Sequence, residues 1–284
     1  MVSKAIIPVA GLGTRLGPIT RAVPKAMLPL LDSRDRLRPV VHFICAEAAA
    51  AGIDQVALVV SLLHQQVLRS YFDAAREAGD ANLPGQIEFI VQAKPNGLGD
   101  AVACGAQFVG RREEGFCMLL GDHIYTAQPD RPTCAGQVVA AFDDRRPAAM
   151  IGMQTVGPEE LARVGTAGGK PVGDNIYRCT SLVEKPSIAT ARAKLRTPGL
   201  GEDKFLAHCG IYIFTPEIFD CLAELSARVS PAGQELPMTE AQQILLRRHP
   251  EDYYLLRIAG AAYDTGNTAG YAAAQAAIRP NQPA

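Results

Sequence analysis

The chain lacks an excess of charge of either sign. Its 284 residues carry 28 lysines and arginines against 29 aspartates and glutamates, for a formal charge of −1. So even a balance supplies no basic field to gather nucleic acid or an anionic membrane. No uninterrupted apolar run approaches the length of a membrane span. The start of the sequence lacks the charged, apolar and small-residue regions of a signal peptide, so a cytoplasmic location is expected. The 7 cysteines form no C-x-x-C pair. Cys45, Cys104 and Cys117 stand in apolar surroundings and read as reduced core residues. There is no internal repeat, and no hexapeptide period that would announce a fused β-helix. Two common phosphate loops are missing as well. The Walker pattern needs Gly-Lys-Ser/Thr, which does not occur. The dinucleotide fingerprint needs a third glycine where Leu16 stands, and an acid at the end of a second strand, whereas Asp32 follows a proline-rich segment. Leu16 thereby argues against a nicotinamide-dependent dehydrogenase.

What is present is a soluble composition, 48% hydrophobic and 20% charged, and length enough for one large α/β domain or two small ones. The short apolar run Ala5–Val9 predicts a buried strand that empties through Ala10 into Gly11-Leu12-Gly13-Thr14-Arg15-Leu16. A strand leading into a glycine turn presents backbone N–H groups to phosphate. Beyond it, apolar periodicity predicts helices over 40–51 and 65–78 and strands over 55–61 and 87–92. A helix over 99–108 and a strand over 116–120 follow. Later the rhythm loosens: strands are predicted over 148–156, 176–183, 205–214 and 253–258. Helices are predicted over 137–142, from Pro216, over 239–248 with Thr239 as a cap, and over 268–278, with a frayed tail from 279 to 284. Alternating strands and helices imply a Rossmann-like α/β fold with a mixed, mostly parallel sheet and helices on both faces. One domain with two lobes is expected, dividing at about residue 125.

Several polar residues fall where such sheets bind ligands. Lys25, fixed between Pro24 and Ala26, reads either as a surface lysine or, with Arg15, as a cation for phosphate oxygens. Gln92 ends a strand just before Gly97-Leu98-Gly99. It is either a loop glutamine or, with a donor and an acceptor on one amide, a reader of a pyrimidine edge. Asp122 follows the strand 116–120 and is either a turn residue or a Mg²⁺ ligand, since Mg²⁺ takes one or two carboxylates plus water and phosphate. His123 beside it reads as structural. Glu184 and Lys185 close a strand and, being adjacent, are expected on opposite faces and need not pair. Asp264 ends a further strand before the last helix and, like Asp122, has no obvious Arg or Lys neighbour in sequence.

The combination G-x-G-T-R-L with P-K-x-M-L-P, over Gly11–Leu16 and Pro24–Pro29, resembles the signature of the sugar-nucleotidyltransferases. The resemblance continues through Gln92 and Gly97 in Q-x-x-x-x-G-L-G-x-A, Gly121-Asp122, Val183-Glu184-Lys185-Pro186, and Asp264-Thr265-Gly266-Asn267. It includes Gly233–Ala241, and is thinnest over 126–180 and 187–204. It implies nucleotide contacts from Ala10, Gly11, Gly13, Thr14, Gln92 and Gly97, and catalytic cations at Arg15, Lys25 and Lys185. Sugar contacts from Gly165, Glu184 and Lys185 are implied as well, Gly165 lacking the family's aromatic neighbour. Asp122 and Asp264 would share the Mg²⁺ cofactor. The implied reaction joins UTP to glucose 1-phosphate, with dTTP the alternative nucleotide. A homo-oligomer, dimer or tetramer, is implied too. A catalytically silent relative would have lost Lys25, Asp122 or Asp264, and all three are present.

Overall fold

The structure, a computed structural model, describes residues 1–112, 114–228 and 235–279. Gly233 and Gln234 of the family-like stretch, and the tail expected to fray beyond Arg279, lie outside the described residues.

Among the described residues nine strands form one sheet. Its order is 86–92, 55–61, 4–8, 116–119, 205–214, 149–156, 253–257, 176–184, 165–173. The first four are mutually parallel. Strand Phe205–Phe214 then runs antiparallel to its neighbours on both sides, so the sheet is mixed, as expected. The strand Lys4–Pro8 shows why the parallel half reads as continuous apolar sequence. Ala5, Ile7 and Val9 pack into one hydrophobic core and Ile6 into another on the opposite face. A strand covered on both sides has no solvent-facing position to mark its period. Helices Val40–Ala50, Gln65–Glu77, Cys134–Arg145 and Thr268–Ile278 cover the first face. Helices Leu98–Cys104, Glu217–Arg228 and Met238–Arg248 cover the second.

Differences from the sequence reading have local causes. The helix expected over 99–108 is two pieces, Leu98–Cys104 and Ala106–Val109, broken at Gly105. The helix expected over 137–142 begins earlier, at Cys134, because Thr133 caps it by accepting from the Gly136 N–H at 3.1 Å. Thr239 is not a cap: Pro237 precedes the helix, which starts at Met238. Strand Gly165–Gly173 escapes the periodicity because it is rich in glycine, which is depleted in strands. A separate two-stranded antiparallel ribbon, His123–Ala127 with Gly260–Asp264, stands off the main sheet.

The central strands bring the chain together tightly at their carboxyl ends. A Cβ on Gly121 would lie 2.2 Å from the Pro8 carbonyl oxygen, so only glycine lets the two strand ends sit side by side. Gly121→Ala is therefore expected to destabilise the protein by about 1–3 kcal/mol, the range for overpacking a close contact. A shift of the urea midpoint with an unchanged slope would register it; an unshifted midpoint would show that the strand ends part freely.

Candidate active site

The loop after the first strand is built, not slack. Val9 N–H still bonds the Val59 carbonyl at 2.8 Å, after which residues 14–16, 18–21 and 25–27 form three short 3₁₀ turns. Gly13 takes φ 67°, a region that favours glycine, and its missing Cβ leaves room for the Lys25 stem 3.0 Å away. Thr20 Oγ1 donates to the Gly13 carbonyl at 3.2 Å and to that of Gly17 at 3.1 Å, bracing the loop. Ala10, Gly11, Gly13, Thr14 and Arg15 thus lie on one ordered turn beside Lys25.

Asp122 and Asp264 meet, by a route the sequence did not indicate. Asp122 follows the parallel strand Phe116–Leu119, as expected. Asp264 ends a strand of the antiparallel ribbon, where its register partner is His123. Buried Thr265 locks the junction: its N–H bonds the Asp122 carbonyl at 2.7 Å and its hydroxyl bonds the same oxygen at 2.8 Å. Asn267 Nδ2 donates to Asp264 Oδ2 at 3.2 Å, and its Oδ1 caps the last helix through the Gly270 N–H. Thr265 and Asn267 were not singled out as working residues; their position after Asp264 in a strand-to-helix turn is the signal that could have found them.

Neither carboxylate is bare. Lys25 Nζ lies 2.6 Å from Asp122 Oδ2, and Arg15 lies 3.3 Å from Asp264 Oδ2. The expectation that each acid lacks an Arg or Lys neighbour holds along the chain and fails in space, because the glycine loop and the segment after it fold back over both. Burial by itself would raise the Asp122 pKa, but the Lys25 ammonium, with the His123 ring donating at 2.8 Å, holds it well below the ordinary carboxylate range. Asp122 is thus ionised at neutral pH. Asp122, His123 and Asp264 offer ligand atoms within 4.8 Å of one another. A Cβ on Gly266 would intrude 2.7 Å from both Arg15 Nη2 and Asp264 Oδ1 and 3.1 Å from Asp122 Oδ2, so the glycine lets the guanidinium and the two carboxylates converge. Paired carboxylates suit a hard divalent cation that also needs phosphate and water, once Lys25 and Arg15 turn from them to the phosphate oxygens.

Two further groups flank this centre. Gln92 is buried; its Nε2 donates to Asp100 Oδ2 at 2.6 Å and to the Gly97 carbonyl at 3.3 Å. Both neighbours are acceptors, which sets the orientation of the amide and leaves Oε1 as its acceptor. On the other side Glu184 stands over Gly165, where a Cβ would fall 3.1 Å from Glu184 Oε2 and 2.9 Å from His208 Nδ1. Lys185 Nζ approaches Glu184 Oε1 to 3.7 Å, against the expectation of opposite faces. The reason is that Lys185 leaves the strand with φ 46°, so strand alternation no longer applies to it. His208, unremarked in sequence, is buried with its pKa pushed down to about 4 by desolvation, so its ring is neutral. Its Nδ1 lies 3.4 Å from the Tyr212 hydroxyl.

A model of the nucleotidyl transferase family matches residues 4–281. The chain belongs to that family. It is 32% identical to UTP–glucose-1-phosphate uridylyltransferase 2 of Staphylococcus saprophyticus, over 95% of this chain and 89% of that protein. It is 31% identical to the Bacillus subtilis UTP–glucose-1-phosphate uridylyltransferase YngB, over 95% of this chain and 86% of that one. Among solved structures, a UDP-glucose pyrophosphorylase complexed with UDP-glucose superposes with a TM-score of 0.81 at 26% identity, covering 99% of this chain and 100% of that one. The described residues of this nucleotidyl transferase include no helix long and apolar enough to cross a membrane.

The Lys25–Asp122 pair makes a checkable competition. Lys25→Ala should strengthen Mg²⁺ binding in the absence of nucleotide severalfold, because Asp122 loses the ammonium that a metal would have to displace. Titration calorimetry with Mg²⁺ alone reads this; weaker binding would show that Lys25 supports the metal site instead of competing for it.

Proposed function

We propose that this nucleotidyl transferase transfers a uridylyl group from UTP to glucose 1-phosphate, forming UDP-glucose and pyrophosphate. The names of the relatives support the substrate pair. The observation that carries the chemistry is the four-charge centre of Lys25, Asp122, Arg15 and Asp264 at the end of the phosphate loop. In this reading residues up to about 125 form the nucleotide lobe and the remainder the sugar lobe.

The nucleophile is an oxygen of the sugar phosphate, already ionised at neutral pH, so no general base and no covalent enzyme intermediate are required. Catalysis reduces to alignment and charge stabilisation. Ala10, Gly11, Gly13 and Thr14 would present the loop to the triphosphate, with Arg15 and Lys25 meeting its oxygens. Gln92 Oε1, the free acceptor on an amide whose donor is already used, suits the ring N–H of a pyrimidine, with Gly97 framing the base. Glu184 and Gly165 would hold the sugar hydroxyls and Lys185 the sugar phosphate. Asp122 and Asp264 would hold Mg²⁺, which when bound supplies charge neutralisation between the reacting phosphates. The family reading also carries the expectation of a homo-oligomer, dimer or tetramer, working in the cytoplasm.

Pyrophosphate release across a panel of nucleoside triphosphates and sugar 1-phosphates tests the reading. UTP or dTTP should serve far better than ATP or GTP, and Gln92→Ala should weaken triphosphate use by roughly 1–3 kcal/mol, the cost of an unpaired site group. Equal rates with purine nucleotides would remove Gln92 from that role.

The shared metal makes a second test. Asp122→Asn and Asp264→Asn should each lower kcat on the order of 10²-fold, the scale for losing one electrostatic stabiliser. The double variant should be little worse than either single one, because both act through one ion. Effects that multiply would separate the two residues.

A further inference from the structure

Glu184 is a long side chain, half exposed, at the end of a strand. Left to itself such a carboxylate samples many rotamers, and ordering it costs side-chain entropy. One short contact restrains it: Thr239 Oγ1 donates to Glu184 Oε2 at 2.8 Å. Threonine is stiff about χ1, and Thr239 sits in the first turn of helix Met238–Arg248, so the hydroxyl is held by the helix backbone. One turn further on, Gln243 Nε2 donates to the Leu182 carbonyl at 3.0 Å, docking the same helix on the strand that carries Glu184. With Oε2 occupied, Oε1 is left toward Lys185.

The residues just before the helix are tied elsewhere. Leu236 N–H bonds the Asn96 carbonyl at 2.7 Å, and the Leu236 carbonyl accepts from Gly99 N–H at 2.9 Å. These two bonds fasten the strap around Leu236 to the loop that carries Gly97 and meets Gln92. The contact is close: a Cβ on Gly99 would fall 2.6 Å from the Leu236 carbonyl oxygen.

We propose that Thr239 is a positioning residue for Glu184, and that the Leu236 strap links its placement to the base-framing loop, so that one segment sets both ends of the substrate site. The proposal rests on the reading of Glu184 as a sugar-binding residue and adds a residue that acts through it. A ligand that settles the turn from Asn96 into the helix Leu98–Cys104 would, through Leu236, also settle the helix turn that aims the carboxylate.

Binding to the full-length protein separates the parts, with UMP as the probe of the base loop and UDP-glucose as the probe of both ends. Thr239→Val keeps the shape and removes the donor; it should weaken UDP-glucose roughly tenfold, the scale of one lost hydrogen bond to a charged group, and leave UMP unchanged. Thr239→Ser should restore most of the loss. In a Glu184→Ala background Thr239→Val should add nothing. Gly99→Ala, which presses a methyl on the strap, should weaken UDP-glucose more than UMP, and that excess should vanish alongside Thr239→Val. Unchanged UDP-glucose affinity in Thr239→Val, or equal losses for the two probes, would overturn the positioning role. An equal loss of both probes in Gly99→Ala would overturn the link through the strap. A wild-type protein that bound UMP but no UDP-glucose would overturn the reading of Glu184 itself, and the positioning role with it.

Discussion

Thr265 grips the carbonyl of Asp122 from 143 residues away, through both its N–H and its hydroxyl. Much of the site depends on that grip. Bringing two carboxylates together is unfavourable, since each raises the other's pKa unless a cation stands by. The cost is offset by backbone, not by side chains alone. The ribbon register sets Asp264 opposite His123, and Thr265, fully buried, has no alternative partner in water. Two hydrogen bonds on one carbonyl oxygen also use both its lone pairs, so the turn is specified in direction as well as in place. The carboxylates are therefore held by secondary structure on one side each, and their side chains are left free to meet cations.

The site sits at the seam where the sheet changes character. Up to strand 116–119 the strands are parallel and deliver loops to one edge. The antiparallel strand Phe205–Phe214 then breaks register between His208 and Tyr212. At that irregularity Gly210 takes φ 87°, and its carbonyl accepts from Leu120 N–H at 2.9 Å and from the Tyr125 hydroxyl at 3.0 Å. A bulge is a usual way to re-aim a strand beside a functional site. Here it turns the later strands so that Gly165, Glu184 and His208 stand together, although they come from three different strands. The parallel half alone would present the glycine loop and Gln92; the bulged half adds the remaining wall.

The legible part of this molecule was the part governed by local rules. Ala5–Val9, Gln55–Ser61 and Phe116–Leu120 are apolar runs between turn residues, and they read correctly as buried strands. The loop was legible because glycine, proline and lysine at fixed offsets have few other uses. Of the ribbon only the strand end at Asp264 was legible; the strand 123–127 and its pairing with 260–264 were not, because both mix polar and small residues and gain their pairing only from each other. The Lys185 contact with Glu184 was misread because strand alternation was applied one residue too far, past the point where φ changes sign. The ion pairs of Lys25 and Arg15 were invisible for a plainer reason: charge neutralisation acts through space, and nothing in a linear spacing reports it. His208 carried no signal at all, since a histidine in an apolar strand looks the same whether it faces a core or a ligand.

The pairing of Lys25 with Asp122 and Arg15 with Asp264 also explains how four charges can stand so close together. Four groups neutralise one another in pairs, with Lys25 and Asp122 largely shielded from water. Taking either partner away would leave a shielded charge uncompensated, which is far costlier than exchanging one opposite charge for another. A divalent cation offered to the carboxylates and a triphosphate offered to the lysine and arginine are such an exchange. Each substitution alone strands a charge, whereas both together keep every group paired. Metal and nucleotide would then enter as one unit, and a preference for a metal-bound polyphosphate would follow from the two ion pairs.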